Sequence, residues 1–186
     1  MLDMSQLSVL VADPSPHMVK IFRAMLRGFG MSRITEATDG ALALEAFKAN
    51  LIDIAIVDYA LTTITGVELT ELLRADEKGA NRFVPIIMVS AYTEKWRVVE
   101  CRDAGATEFL RKPFSARDLY ERVLEVIEHP RPFVRSAHYF GPDRRRHDAT
   151  AYNGDERRSG MIVPAGGPDD DEAQLTEQKD IDALFA

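Results

Sequence analysis

Uninterrupted runs of apolar residues recur along residues 7–129 of the chain. The clearest runs are VLVA at 9–12, IAIVD at 54–58 and IIMVS at 86–90. A strand that is buried on both faces of a sheet has no solvent-facing side, so its sequence lacks the alternation of a half-buried strand. Two shorter and more polar runs, RITEA at 33–37 and TEFL at 107–110, bring the predicted β-strands to five.

Apolar residues spaced three and four positions apart lie between these runs and predict helices. The pattern is strongest at 17–27, and further helices are predicted at 41–48, 67–74, 95–104 and 116–128. Strands and helices therefore alternate, and right-handed crossovers between them give an α/β fold. The predicted architecture is a doubly wound, five-stranded parallel sheet with the arrangement (βα)5.

The composition changes after His129. Residues 130–167 are rich in proline, glycine and arginine and have too few clustered apolar residues for a second core. Two units in this basic arm share the pattern Y-x-G-x-[DE]-R-R, one starting at Tyr139 and one at Tyr152. Residues 168–186 contain seven acidic residues against Lys179 alone. We predict a domain at 7–129, followed by a largely disordered basic arm and an acidic tail.

Composition narrows the range of functions. Cys101 is the only cysteine, which excludes an internal disulfide and a cysteine-cluster metal site. No stretch reaches the roughly 20 apolar residues of a membrane helix, and no signal-peptide pattern opens the chain. The net charge of −7 argues against a general nucleic-acid-binding protein. We expect a soluble cytoplasmic protein without a membrane partner, for which a nucleic-acid partner is disfavoured.

Polar residues stand where the predicted strands end. Asp13 follows the first strand, Asp58 ends the third, Ser90 ends the fourth and Lys112 follows the fifth. Open α/β sheets bind their ligands at this edge. Two nearby carboxylates call for a cation such as Mg²⁺, and a carboxylate beside cations is a plausible nucleophile toward a phosphoryl group. Each residue alone also has an ordinary explanation, such as a helix cap for Asp13 or Ser90.

The ordered motifs VLVAD, IAIVDY, IIMVSA and GATEFLRKPF, with Gly66 eight residues after Asp58, carry a family resemblance. Residues 7–129 resemble the receiver domain of bacterial two-component response regulators, the CheY-like and flavodoxin-like fold. The resemblance implies that Asp58 is the phosphoacceptor and that Ser90 and Lys112 contact the phosphoryl group. It makes Ser90 and Phe109 the switch residues. It also implies a Mg²⁺ site formed by Asp13, Asp58 and the backbone carbonyl of Ala60.

One position departs from the family pattern. The first strand normally ends in two adjacent acids, and here the second acid is replaced by Pro14. Proline has no side-chain ligand, and Ser15, Pro16 and His17 supply no obvious substitute. We therefore expect weak Mg²⁺ binding. The loop after Asp58 also has Thr62 where the family usually has proline.

Two functional hypotheses follow from this resemblance. The first is a response regulator that receives phosphate from a histidine kinase or a histidine phosphotransfer protein and signals through protein contacts. The second is a non-catalytic receiver that acts only as a protein-interaction module, because Pro14 weakens the metal site. An enzyme of the haloacid dehalogenase type is rejected, since it needs a second aspartate where Ala60 stands. Beyond phosphorylation and dephosphorylation of its own aspartate, no enzyme activity is expected.

The last residues, QKDIDALFA, carry a second resemblance. Ile181, Leu184 and Phe185 share one face of a possible short helix, and such helices usually form on a partner. The stretch is similar to the receiver-binding peptide of the flagellar switch protein FliM, which makes a flagellar or chemotaxis-related target one expectation. We predict that this helix docks on a receiver surface, either its own or that of another protein. The arginine pairs of the arm could be docking elements or part of a solvated linker.

Overall fold

The computed structural model describes residues 4–136, 139–143, 175 and 177–185. Five strands alternate with five helices in the predicted order: β1 Ser8–Ala12, α1 Pro16–Gly28, β2 Arg33–Ala37, α2 Gly40–Ala49, β3 Ile54–Asp58, α3 Gly66–Ala75, β4 Ile86–Ser90, α4 Lys95–Ala104, β5 Glu108–Arg111 and α5 Ala116–Glu128. All five strands are parallel, in the order β2-β1-β3-β4-β5. This topology confirms the predicted doubly wound α/β fold.

The helices start at residues that cap their free N–H groups. The side chain of Ser15 accepts a hydrogen bond from the first turn of α1. Thr65 and Ser115 each form a capping box with the acidic residue three positions later. Among the described residues, no helix is both long enough and apolar enough to cross a membrane.

Apolar side chains fill both faces of the sheet. Helices α1 and α5 cover one face through Phe22, Leu26, Leu119, Val123 and Val126. Helices α2, α3 and α4 cover the other face through Ala43, Phe47, Leu69, Leu73, Val98 and Cys101. The continuous apolar runs of β3 and β4 are buried at every position, as expected for central strands. The sheet is thus a rigid base for the residues that follow its strand ends.

An antiparallel hairpin of β6, Phe133–Arg135, and β7, Phe140–Pro142, follows α5 and was not predicted. Its aromatic rings pack on Phe83 in the loop before β4, with ring centroids 5.1 and 5.5 Å apart. The guanidinium of Arg82 lies 3.7 Å from the centroid of the Phe140 ring. The start of the basic arm therefore packs on the domain. Residues 144–167 of the predicted basic arm, which contain the second Y-x-G-x-[DE]-R-R unit, and residues 168–174 of the predicted acidic tail lie outside the described residues.

A short helix near the end of the chain, α6 Gln178–Leu184, lies against α4 and β5. Ile181 and Phe185 are fully buried there, and Leu184 is half-buried. Ile181 and Phe185 join the apolar cluster beneath α4, which also contains Phe109. The end of the chain thus adds to the core of the receiver-like domain.

Candidate functional site

Three of the predicted site residues meet at one edge of the sheet. Asp13 follows β1, Asp58 is the last residue of β3, and Lys112 follows β5. The Nζ atom of Lys112 donates hydrogen bonds to Oδ2 of Asp13 at 2.8 Å and to Oδ2 of Asp58. Parallel strands bring their carboxyl ends together, so residues far apart in sequence form one ion-paired cluster.

Burial gives this cluster its electrostatic character. Asp13 is 2 % exposed and Asp58 is 6 % exposed. Burial raises the pKa of Asp58, and the hydrogen bond from Lys112 offsets this only in part. Burial also acts to lower the pKa of Lys112, but its hydrogen bonds to Asp13 and Asp58 outweigh that effect and raise it. Two buried carboxylates therefore share one ammonium group, which stays charged at neutral pH.

Backbone groups fix the second oxygen of each carboxylate. The N–H of Ala60 donates to Oδ1 of Asp58 at 2.8 Å, and the N–H of Ser15 donates to Oδ1 of Asp13 at 2.8 Å. These bonds are short turns in which a carboxylate accepts from the residue two positions later. Both carboxylates are consequently oriented from two sides, by Lys112 and by their own loops.

Gly66 explains how α3 can start so close to Asp58. A Cβ atom at this position would lie 2.4 Å from the backbone oxygen of Asp58. The N–H of Gly66 also donates to the carbonyl of Tyr59 at 3.1 Å. Any larger residue would push α3 away from β3, so the glycine keeps the loop carrying Ala60 tight against the site.

Ser90 lies at the end of β4 and is 1 % exposed. Its Oγ atom accepts a hydrogen bond from the N–H of Tyr92 at 2.9 Å, within its own loop. Its carbonyl accepts from the N–H of Lys112 at 2.7 Å. The backbone of Ser90 is therefore hydrogen-bonded to that of Lys112, and the Ser90 hydroxyl accepts a hydrogen bond within its own loop.

The oxygen donors at this edge determine which cation the site could hold. The predicted ligands are two carboxylates and one backbone carbonyl, the donor type that hard cations such as Mg²⁺ prefer. Pro14 is exposed and adds no side-chain donor. Within the described part of the chain, no group of three or more His, Cys, Asp or Glu residues could hold a metal ion. The donor set fits a hard cation, with one carboxylate fewer than in the family pattern.

A polar contact missed in the sequence analysis joins α4 to the residue after Asp58. The hydroxyl of Tyr59 donates to Oε2 of Glu100 at 2.9 Å and accepts from Arg97 at 3.0 Å. The Arg97 guanidinium also lies 4.9 Å from the centroid of the Tyr92 ring. Charged residues on a weakly amphipathic helix carry no sequence signal for such a contact. The contact ties the loops after β3 and β4 to α4.

The predicted switch residue Phe109 lies in β5 and is 1 % exposed. Its ring centroid is 6.4 Å from that of Phe185. Of the predicted tail residues, Ile181 and Phe185 lie in the same apolar cluster as Phe109, and Leu184 packs at its border. The structure thus brings Phe109 and the tail together on the side of β5 that faces α4.

Comparisons with known proteins show which family this chain is similar to, and residues 9–124 match the family model described as the response regulator receiver domain. The chemotaxis protein CheY of Pseudomonas aeruginosa is 30 % identical over 122 residues, covering 66 % of this chain and 97 % of the relative. The structure of CheY4 of Vibrio cholerae matches with 28 % identity and a TM-score of 0.60, covering 64 % of this chain and 98 % of that chain. The receiver domain of a Pseudomonas aeruginosa sensor histidine kinase, solved with magnesium in its active-site cleft, matches with 31 % identity and a TM-score of 0.57. That match covers 64 % of this chain and 94 % of that receiver.

Proposed function

Because the chain belongs to the response regulator receiver family, we propose that it is a response regulator phosphorylated on Asp58. The donor would be a histidine kinase or a histidine phosphotransfer protein in the cytoplasm. The output would pass through protein contacts, with a flagellar or chemotaxis-related target favoured by the CheY relatives. The observation that carries the proposal is the buried Asp58 carboxylate at the end of β3, held by Lys112 beside Asp13.

The proposed reaction is a transfer of one phosphoryl group. A carboxylate oxygen of Asp58 attacks the phosphorus of phosphohistidine, the new P–O bond forms, and the P–N bond breaks. The imidazole leaves with the electron pair of that bond and takes up a proton. Hydrolysis later returns the site to its starting state, when water attacks the phosphorus and the Asp58 carboxylate leaves.

The residues around Asp58 would stabilise the negative charge on the oxygens of the transferred phosphoryl group. The ammonium of Lys112 would bind one phosphoryl oxygen, and the hydroxyl of Ser90, which accepts from Tyr92 and still has a proton to donate, would donate to another. The N–H of Ala60 would keep the attacking carboxylate oriented. A bound Mg²⁺ would supply charge neutralisation for the phosphoryl oxygens. Its proposed holders are Asp13, Asp58 and the carbonyl of Ala60.

Phosphorylation of the intact chain tests this proposal. The purified protein is incubated with acetyl phosphate and Mg²⁺, and intact mass spectrometry detects the gain of one phosphoryl group. Borohydride reduction converts an acyl phosphate into a stable alcohol, and peptide mapping then locates it. We expect the label in the peptide that contains Asp58. Absence of any label at high donor concentration would contradict the proposal.

Pro14 favours a second candidate function, a receiver that works without phosphorylation. The side chain of Lys112 already bridges Asp13 and Asp58, and Pro14 supplies no carboxylate to bring a cation into this cluster. Such a protein would present its surface in one fixed state. It would show neither phosphoryl label nor beryllofluoride adduct, whereas its binding to a protein target would be unaffected by Asp58→Asn.

Restoring the missing acid with Pro14→Asp is expected to tighten Mg²⁺ binding by about one to two orders of magnitude, since a hard cation gains from each added carboxylate. Titration calorimetry of both proteins measures the change. Pro16→Asp is the matched control, because it adds the same charge nearby at an exposed position that begins α1. Equal tightening in both variants would show that general charge, not a ligand at position 14, is responsible.

A further inference from the structure

One side chain of helix α6 binds the backbone at the edge of the sheet. The amide of Gln178 donates from Nε2 to the carbonyl of Phe109 at 2.8 Å. Its Oε1 accepts from the N–H of Arg111 at 2.9 Å. Among the described strands, β5 lies at the edge of the sheet, so these backbone groups do not pair with a further strand there. The side chain of Gln178 thus makes the two backbone hydrogen bonds that one residue of an added strand would make with β5.

Charged residues around this edge match the polar groups of α6. Arg122 in α5 donates to Asp182 at 2.6 Å and to Glu108 at 3.0 Å. Arg131 donates to Glu108 at 2.9 Å and to the carbonyl of Phe185 at 2.5 Å. Glu108 is only 1 % exposed, so it holds both arginines in place for the helix. Arg122 and Arg131 therefore let this surface bind an acidic residue and the carbonyl at a helix C-terminus.

The apolar side of α6 completes the fit. Ile181 is 0 % exposed and Phe185 is 1 % exposed. Both belong to the cluster that contains Val98 and Cys101 of α4 and Phe109 of β5. Gln178, Ile181, Asp182 and Phe185 lie at positions i, i+3, i+4 and i+7, and each has a partner on this surface. Arg102 of α4 donates to the carbonyl of Leu184 at 3.1 Å. We call the surface formed by Arg102, Phe109, Arg111, Arg122 and Arg131 the β5 face.

The same segment contacts the loops that carry the site residues. The N–H of Leu175 donates to the carbonyl of Thr93 at 2.8 Å, three residues after Ser90. Arg111, which is bound to Gln178, directly precedes Lys112. A phosphoryl group on Asp58 adds volume and negative charge beside Lys112, and its oxygens can accept from the Lys112 ammonium and from the Ser90 hydroxyl, whose oxygen accepts from Tyr92 while its proton can be donated. New bonds from these two groups would pull on the ends of β4 and β5, beside Thr93 and Arg111, to which Leu175 and Gln178 are bonded.

We infer that α6 is an internal ligand of the β5 face that docks when Asp58 is unmodified and leaves when Asp58 is phosphorylated, an inference that rests on the proposed function. Release opens the face to a helical segment of another protein. The chemistry of the face defines this partner as a short acidic helix with Gln, Ile, Asp and Phe at the spacing found in α6. Because coupling is reciprocal, a docked α6 also disfavours phosphorylation.

Hydrogen exchange of the full chain, followed by mass spectrometry, tests docking and release. We expect protected amides at 181–185 in the untreated protein and an approximately tenfold or greater loss of protection after beryllofluoride or acetyl phosphate treatment. Ile181→Asp should lose this protection without treatment. Ala183→Asp, which adds the same charge at an exposed position of the same helix, should keep it.

The outcomes separate the two proposals. Intact mass of the same samples reports phosphoryl occupancy, so unchanged protection in fully labelled protein overturns the release of α6 while the proposed function stands. If no phosphoryl label is found, both the proposed function and the release of α6 are contradicted. In that case, comparing the protection of Ile181→Asp and Ala183→Asp still shows whether α6 docks. Equal protection in Ile181→Asp and Ala183→Asp overturns docking.

A separate peptide of residues 174–186 tests whether the β5 face can bind this segment when α6 of the same chain has left it. Because α6 is part of the same chain as the β5 face, its effective concentration there is on the order of millimolar. The labelled peptide should therefore bind Ile181→Asp at least about tenfold more tightly than the unmodified chain by fluorescence anisotropy. A peptide carrying Ile181→Asp is the control and should bind neither. Equal binding to both proteins would show that α6 does not occupy the face.

Discussion

Asp58→Asn is expected to abolish phosphoryl labelling by acetyl phosphate. Asparagine preserves the size of the side chain and can still accept from Ala60, but its amide nitrogen is not a nucleophile toward phosphorus. The matched control is Asp53→Asn, at the opposite end of the segment that contains β3. Asp53 is exposed, and within the described part of the chain its carboxylate accepts one hydrogen bond, from the N–H of Ser8 at 2.8 Å. Labelling of the control should equal that of the unmodified protein.

Phosphorylation of Asp13 instead of Asp58 is the result that would most directly contradict this prediction. Asp13 is the other buried carboxylate bound to Lys112, so a label that persists in Asp58→Asn and maps to Asp13 would reassign the acceptor. The pH dependence gives a second check. Burial raises the pKa of Asp58, and only its deprotonated form attacks phosphorus. The labelling rate should therefore rise with pH through a value above the ordinary 3.8 of aspartate.

Most of the central fold could be predicted because its strands and helices produce recognisable patterns of apolar residues along the sequence. The apolar runs of β3 and β4 have that pattern because both strands are covered by helices on two sides. The edge strand β5 has a weaker pattern, and it begins at Glu108, one residue after the predicted start. The hairpin was missed because Phe133 and Phe140 pack on a loop about fifty residues earlier in the chain.

The candidate site was easier to predict than the surface around α6. Asp13, Asp58, Ser90 and Lys112 each lie at the end of a strand or directly after it, so the topology alone places them at one edge. Glu108 and Arg122 are ordinary charged residues in the sequence. Only the fold shows that Glu108 is buried and that Arg122 reaches Asp182. The apolar spacing of Ile181 and Phe185 did identify the buried side of the tail helix.

Replacing Lys112 with methionine is expected to destabilise the domain at neutral pH by about 3 kcal/mol. Methionine keeps much of the apolar stem but removes the ammonium that Asp13 and Asp58 share. Two buried carboxylates then lack their common cation. The matched control is Lys112→Arg, which keeps the positive charge and should lose much less. Urea unfolding of the three proteins measures the differences in the free energy of unfolding.

The pH dependence distinguishes this electrostatic role from a packing role. The pKa of Lys112 is raised in the folded state, so its stabilising effect is complete below 10.5 and is lost as pH rises through the folded pKa. The raised pKa of Asp58 means that its ionised form costs stability above the folded pKa, and that this cost disappears as pH falls through it. The loss caused by Lys112→Met should thus be greatest near neutrality and shrink toward both pH extremes. A loss of equal size at every pH would mean that Lys112 stabilises the domain by packing, and that the two carboxylates do not depend on its charge.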